Sequence, residues 1–447
     1  MYTLGIENVI IVSGNFDYVP FRGSVYLDGA VIAKVRKTVY PNGPSVPKTP
    51  REQCAELIDG NGKILMPGLV NGHCHGDMTL ARGLGDDMTL REQIEAFRPH
   101  NWFYKFINDD DRYYARQLGY CEALLAGTTF ICENMYWGLG GRSVSAMAEI
   151  GIKGALVEDI RYDFSNSDSF LPAQKLKEIA SACREAGLVP VIGLMAEEDF
   201  ETGRLRKAFD LLRDIDALQT MHLAENAWRK DLILKKYNMT PVEYLAGNGF
   251  LNGKFIGSHA VCLTDDEVGL LKESNVKVAN TPLCEMKIAD GIAPVPEMAR
   301  LGVTVGLGTD GPLWNNSSDI FREMKAMALL HTVSRGIRSL SKKDILNMAT
   351  TWGAAVFGKE KEFGMIKEGM KADMLLLDPD KPHLQPLLLG KNENVVSAVV
   401  FSAMGADVTD VFVNGKRLVK DGALTCVDVK ALIDRVRQAA EKIANSN

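Results

Sequence analysis

The chain of 447 residues is short of several things at once. Its eight cysteines, Cys54, Cys74, Cys121, Cys132, Cys183, Cys262, Cys284 and Cys426, include no CxxC pair. That excludes a dense disulfide framework and reads as the scattered reduced thiols of a cytoplasmic protein. Basic charge is not in surplus: the formal net charge is -6, so nucleic acid is not an expected partner. No apolar run reaches membrane-spanning length, which argues against a membrane partner. The apolar stretch Met1 to Gly14 lacks a basic start and a small-residue cleavage site, and is expected to be a strand rather than a signal peptide. Low-complexity segments are missing too, and the 17 prolines are spread along the chain. Histidine is scarce, at seven residues.

What is present is a core and a rhythm. Hydrophobic residues make up 46% of a chain that is long for one ordinary domain but suits a barrel plus a smaller module. Short apolar runs recur through the middle, each followed by a helix-like segment: Ile64–Val70, Gly127–Asn134, Ile152–Glu158, Val189–Met195, Ala217–Leu223, Phe255–Val261, Val276–Pro282 and Val303–Asp310. Continuous apolar runs alternating with helices imply buried parallel strands, and eight of them imply a closed barrel. An open doubly wound sheet is the rival, but no Gly-rich fingerprint follows the first strand. The expected fold is therefore α/β, a (β/α)8 TIM barrel over residues 67–369.

Both ends read differently. Residues 1–66 and 370–447 carry short strand-like runs, including ADMLLLDPD, NVVSAVVFSA and DVTDVFVNGKRLVKDG, with hairpin signals at Asp28-Gly29 and Asn414-Gly415. They are expected to join in one small β-sandwich module, with a closing helix over Arg435–Asn445. The segment between Val70 and Gly127 is long enough to form a lid.

Barrel chemistry sits at the C-terminal ends of the strands. Four of the seven histidines fall there: His73 and His75 after strand one, His222 after strand five, His259 after strand six. Alternate residues of an extended chain face the same side, so His73 and His75 can offer two imidazoles to one ion. His222 and Asp310, the latter at the end of strand eight, complete a nitrogen-rich set with one carboxylate. That set suits zinc first and iron second, with an open position for a water of lowered pKa. Glu225, three residues beyond His222, is the candidate proton shuttle. His259 is the candidate for polarising the water or steadying developing charge. Asp310 belongs to both the metal set and the catalytic set. Cys74 points away from its neighbours by the same alternation. His331 and His383 read as structural or surface residues.

PGLVNGHCH, HLAEN, SHA and GLGTDGP resemble the amidohydrolase superfamily. MTLARGLGDDMTL, MKIADGIAPVPEM and NNSSDIFREMK resemble its branch of s-triazine chlorohydrolases, guanine deaminases, and deaminases of S-adenosylhomocysteine and methylthioadenosine. The resemblance spans nearly the whole chain. It implies one divalent metal per subunit held by His73, His75, His222 and Asp310, with Glu225 moving protons and His259 beside it. It also implies a homodimer or higher homo-oligomer and a small-molecule substrate. Strand four ends Gly193-Leu194-Met195-Ala196, without the lysine that bridges two metals in binuclear members.

The branch's adenosine-type deaminases carry Gly-Pro-His after strand four and Ser-Asn after strand seven. This chain has Leu194-Met195-Ala196-Glu197-Glu198 and Cys284-Glu285 there, which points away from an adenosylhomocysteine deaminase. Substrate contacts are expected from His100 and Trp102 in the lid, and from Glu197, Glu285 and Trp314, with the two carboxylates facing a cationic or amidine-rich molecule. The expected reaction is removal of an amino group from a nitrogen heterocycle by activated water. Dechlorination or N-dealkylation of a triazine is the alternative, and a non-catalytic scaffold is the reading from another class.

Overall fold

The computed structural model describes residues 1–14, 19–38, 53–97, 105–134, 140–163 and 169–444. Two sheets carry the chain. One is an eight-stranded sheet whose strands, in spatial as in chain order, are Leu69–Cys74, Thr128–Asn134, Lys153–Asp159, Val189–Ala196, Leu218–Leu223, Phe255–His259, Lys277–Asn280 and Thr304–Leu307. Their pairings are parallel wherever the register is given. The second, sixth and first of these strands are buried along their whole length, as strands covered on both faces must be. The ring is brought round at its seam by Thr309 and Asp310, whose N–H groups donate to the His73 carbonyl at 3.1 and 2.9 Å. Gly308 lies in that seam, where a Cβ would meet the His73 nitrogen at 2.8 Å. The eighth strand could not approach the first so closely with any side chain there.

The other sheet is mixed and nine-stranded, and both ends of the chain contribute to it. Its hairpins follow the turn chemistry. Asn414 and Gly415 both take positive φ (49° and 75°), as a two-residue turn of the type that matches strand twist requires. Gly29 does the same (φ 56°) between Phe21–Asp28 and Val31–Lys37.

Three sequence expectations need correction. Residues Ile64–Pro67 are not the start of the first barrel strand. They pair with Tyr2–Ile11 and Met374–Leu377 in the mixed sheet. Pro67 has no N–H to continue a ladder; the Gly68 N–H still donates to the Asp373 carbonyl at 2.9 Å, and the Leu69 N–H donates to the Gly127 carbonyl at 3.0 Å. The segment Val395–Phe401 is a helix, not a strand. Its buried residues, Val395, Val396, Val399 and Val400, repeat at helical spacing, so burial of one face overrides the β-propensity of valine. The closing helix runs over Val429–Ala444 and starts earlier than expected, where the Asp428 carboxylate accepts the Ala431 N–H at 3.1 Å.

By contacts the chain divides into two compact units. One comprises Met1–Val70, Ala123–Thr129 and Asp319–Thr425; the other comprises Asn71–Glu122, Phe130–Ser318 and Cys426–Asn447. Every site residue discussed below belongs to the second. After the first barrel strand that unit carries a 3-10 helix, Gly76–Ala81, then helices Leu90–Phe97 and Asp109–Leu125.

Candidate active site

The first barrel strand delivers His73 and His75 to one side, as its alternation predicts. Their rings lie 5.0 Å apart, nearly perpendicular. Cys74, between them, turns to the Glu133 carboxylate at 3.4 Å. His222 comes from the fifth strand, with its ring 5.2 Å from His73 and 5.9 Å from His75. The donor atoms of His73, His75 and Asp310 lie within 4.8 Å of one another, and so do those of His73, His222 and His259. Asp310 reaches the group from a left-handed backbone conformation (φ 57°), and His259 from another (φ 69°). Non-glycine residues rarely stay there unless their surroundings hold them.

The rings of His222 and His73 are held from behind. His222 Nδ1 donates to the Met195 carbonyl at 2.7 Å, which leaves its Nε2 lone pair facing the centre. His73 Nδ1 meets Ser258 Oγ at 3.0 Å and the Asn134 carboxamide at 2.8 Å. Asp310 Oδ2 accepts the Cys284 thiol at 3.0 Å, and its Oδ1 lies 3.3 Å from His75 Nε2 and 3.5 Å from His73 Nε2. His73 Nε2, His259 Nε2 and Asp310 Oδ1 are buried yet have no hydrogen-bond partner among the described residues. Buried polar atoms left so are costly, and three converging on one place fit a cation that would ligate or neutralise them.

The electrostatics agree. Burial lowers His73, lowers His75 well below the usual range, and pushes half-buried His222 down to about 3. All three imidazoles are then neutral near pH 7, the form that ligates metal. Burial works to raise Asp310, but the adjacent His73 and His75 rings outweigh that and hold it well below the carboxylate range.

Glu225 stands just before the helix Ala227–Tyr237, whose N-cap Asn226 accepts the Arg229 N–H at 3.0 Å. This first turn aims Arg229 back at Glu225, with Arg229 Nε 3.1 Å from Glu225 Oε2, while Arg229 Nη1 reaches Glu198 at 2.6 Å. The other carboxylate oxygen, Oε1, faces His259 Nε2 at 3.7 Å. Burial tends to raise Glu225, but Arg229, His259 and His222 lower it overall. Burial likewise opposes a charge on His259, and Glu225, Glu285 and Asp310 overcome it and raise that imidazole to about 9.

The loop after His75 is tied down below the site. Asp77 takes Arg116 at 3.1 Å and Arg112 at 3.4 Å, and Glu133 takes Arg116 at 3.1 Å and the Gly76 N–H at 2.9 Å. Burial pushes Glu133 up to about 7.

The expected substrate residues separate into groups. Trp314 stands edge-on to His75 at 5.2 Å and packs on Leu90, Cys284 and Ile288, an apolar wall beside the histidines. Glu197 is buried, with Oε1 accepting the Ala224 N–H at 2.9 Å and Oε2 without a hydrogen bond. Burial raises it, and Glu198 adds to the rise. Glu285 is fully buried and turned to its own loop, accepting from Asn280 Nδ2 and Thr281 N at 2.8 and 3.0 Å. His100 and Trp102 lie outside the described residues.

The amidohydrolase family profile matches residues 64–418. A 5'-deoxyadenosine deaminase of Methanopyrus kandleri is 35% identical over 88% of this chain and 91% of its own length. The chain belongs to the amidohydrolase family.

A second relative, a 5-methylthioadenosine/S-adenosylhomocysteine deaminase of Dictyoglomus thermophilum, is 34% identical over 88% of this chain and 91% of its own. Among solved structures, an adenosine deaminase of Xanthomonas campestris with bound zinc superposes with a TM-score of 0.90 at 25% identity, covering 100% of this chain and 99% of that one. An atrazine chlorohydrolase of Arthrobacter aurescens superposes at 0.84 and 19% identity, covering 98% and 100%, which shows the shared fold. The protein is thus an amidohydrolase acting on C–N bonds other than peptide bonds. The family's divalent metal fits the donor set described above.

In this amidohydrolase the structure brings together His73, His75, His222, His259, Glu225 and Asp310, which the sequence singled out. It adds Asn134, Ser258, Thr281, Cys284 and Arg229, which the sequence reading missed. Only Arg229 carried a usable signal: it stands four residues after Glu225 at the start of a helix, where such pairs meet.

Proposed function

We propose that this amidohydrolase is a zinc-dependent aminohydrolase that replaces the exocyclic amino group of an adenosine-type nucleoside with oxygen. His73, His75, His222 and Asp310 hold the ion in this reading. A zinc ion held there supplies a nucleophilic water near neutral pH. Water adds to the ring carbon that bears the amino group. Glu225 takes the proton through Oε1, because Oε2 is engaged by Arg229, and returns it to the nitrogen that leaves as ammonia. His259 Nε2, beside Oε1, steadies the charge that develops on the added oxygen. Trp314 offers an apolar face to the heterocycle.

The single observation that carries the reading is Glu225 facing a cluster of imidazoles and one aspartate in which His73 Nε2, His259 Nε2 and Asp310 Oδ1 are buried without a hydrogen-bond partner among the described residues. The relatives' names favour the nucleoside, although Glu197 and Glu285 replace neutral groups at the loops. A cytoplasmic homo-oligomer belongs to the same proposal, and light scattering on the purified protein tests it. The activity test is ammonia release from 5'-deoxyadenosine, methylthioadenosine, S-adenosylhomocysteine and adenosine by zinc-loaded protein, with guanine, cytosine and chloro-s-triazines alongside. Turnover of a nucleoside is the expected result. Chloride release with no ammonia release would replace this reading by the triazine one.

A further inference from the structure

Glu285 was expected to meet substrate, but its surroundings give it another occupation. It is fully buried, and so are Asn280, Thr281 and His259. One arm runs through Asn280: its carboxamide nitrogen donates to Glu285 at 2.8 and 3.0 Å and to the His259 carbonyl at 2.9 Å. The second arm runs through Thr281: its hydroxyl donates to Glu285 Oε1 at 3.3 Å and meets His259 Nδ1 at 2.9 Å. Both arms end on His259, one on its main chain and one on its ring.

The main-chain arm has a physical purpose. His259 takes φ 69° and Ala260 takes φ 55°, so the chain turns sharply through a region that side chains disfavour. A hydrogen bond to the His259 carbonyl helps hold that turn. The ring arm decides a proton. A carboxylate only accepts, so the Thr281 hydroxyl spends its one hydrogen on Glu285. Its oxygen is then an acceptor toward His259, and Nδ1 must be the nitrogen that donates. Nε2 is left to face Glu225.

We propose that Glu285 is a positioning residue that acts through Asn280 and Thr281 to fix the backbone turn and ring orientation of His259, with Nδ1–H held as the donor to Thr281. The inference rests on the reading of His259 as part of an aminohydrolase site. It leaves substrate contact to other residues. A carboxylate suits the role because one oxygen can serve both arms, with Asn280 and Thr281 converging on Oε1.

The test uses Glu285→Ala and Thr281→Val, alone and combined with His259→Ala, on zinc-loaded protein. Glu285→Ala is expected to lower kcat by about 10–100-fold, the usual cost of losing a group that orients an active-site histidine, with KM within about threefold and zinc content unchanged. Added to His259→Ala, it is expected to cost less than about twofold more, because residues acting as one unit are not additive. A rise in KM at constant kcat would return Glu285 to the substrate. Full additivity with His259→Ala would remove the connection. Thr281→Val keeps the shape and loses only the hydroxyl, so it decides the matter where Glu285→Ala does not fold. Nitrogen-15 NMR of the histidines needs no substrate: His259 Nδ1 is expected to be protonated and hydrogen-bonded, and to lose that hydrogen bond in Thr281→Val. An Nδ1 without a proton in the unaltered protein overturns the proposal. This arm stands even where no nucleoside is turned over, so failure of the activity and failure of the positioning role are told apart.

Discussion

Arg229 Nε lies 3.1 Å from Glu225 Oε2, and the same guanidinium reaches Glu198 at 2.6 Å. One cation thus anchors the far oxygen of Glu225, the proposed proton carrier, and pairs with a second, half-buried acid. Removing one partner of such a buried set leaves an uncompensated charge and costs about 3–5 kcal/mol, whereas keeping the cation costs less.

The pair also predicts a pH dependence. Burial raises Glu225, and Arg229 is the largest of the influences that bring it below its ordinary value. As the proposed base of the first step, Glu225 works when ionised, so activity is expected to be lost as pH falls through its pKa. Weakening the Arg229 contact raises that pKa and shifts the acidic limb of kcat/KM to higher pH. Arg229→Lys, which keeps charge but loses the planar fork, is expected to shift the limb upward and reduce kcat/KM at least about tenfold. A pH–rate profile checks this; an acidic limb unchanged in Arg229→Lys would detach Arg229 from the proton transfer.

Metal removal should separate ligands from the proton carrier. Dialysis against a strong chelator is expected to abolish turnover, and zinc to restore it. Glu225→Gln is expected to bind a full complement of zinc and lose about 10²–10⁴-fold in kcat. His73→Ala and Asp310→Ala are expected to lose zinc itself. Metal analysis beside the rate assay distinguishes the two classes. A Glu225→Gln protein that retains its activity would displace Glu225 as the shuttle.

Cys284 donates to Asp310 Oδ2 at 3.0 Å and is fully buried. Burial, the charge of Asp310 and the hydrogen bond to it push the thiol well above its ordinary range. A thiolate is the reactive form, so Cys284 is expected to resist alkylation at pH 7 in the folded protein. Cys284→Ser keeps a donor to Asp310 and is expected to hold its zinc. Cys284→Ala leaves Oδ2 without this donor and is expected to bind zinc ~10–100-fold more weakly, as measured by competition with a chromogenic chelator. Equal zinc affinity in the two variants would show that the thiol fills space only.

The barrel, the candidate metal ligands and the neighbouring His259 were legible in the sequence for one reason. Parallel strands put their C-terminal ends at one mouth, so His73, His75, His222, His259 and Asp310 could be picked out by position alone. The groups that orient them were not. Asn134, Ser258 and Thr281 are ordinary polar residues whose role comes from facing a ring across the sheet. The Met195 carbonyl, which holds His222, leaves no trace in residue identity at all. The helix Val395–Phe401 was misread because four valines suggest a strand, although their spacing already matched the buried face of a helix. Glu285 was placed in the site for its charge, and only the hydrogen bonds of its neighbours reveal that its oxygens face Asn280 and Thr281.

The crossing from the mixed sheet into the first barrel strand yields a stability prediction independent of catalysis. A Cβ on Gly68 would lie 2.2 Å from both Cγ2 and Oγ1 of Thr129, far inside contact distance. Thr129 is itself fully buried, so it has no solvent to swing into. Gly68→Ala must therefore move the backbone or force the Thr129 rotamer, and overpacking of this kind costs about 1–3 kcal/mol. Thr129→Ala removes the atoms in the way. The double variant Gly68→Ala, Thr129→Ala is expected to be more stable than the sum of the single effects allows, because neighbouring residues couple. Denaturant unfolding of the four proteins measures this coupling. Strict additivity would mean that the glycine is required for its backbone freedom rather than for its missing side chain.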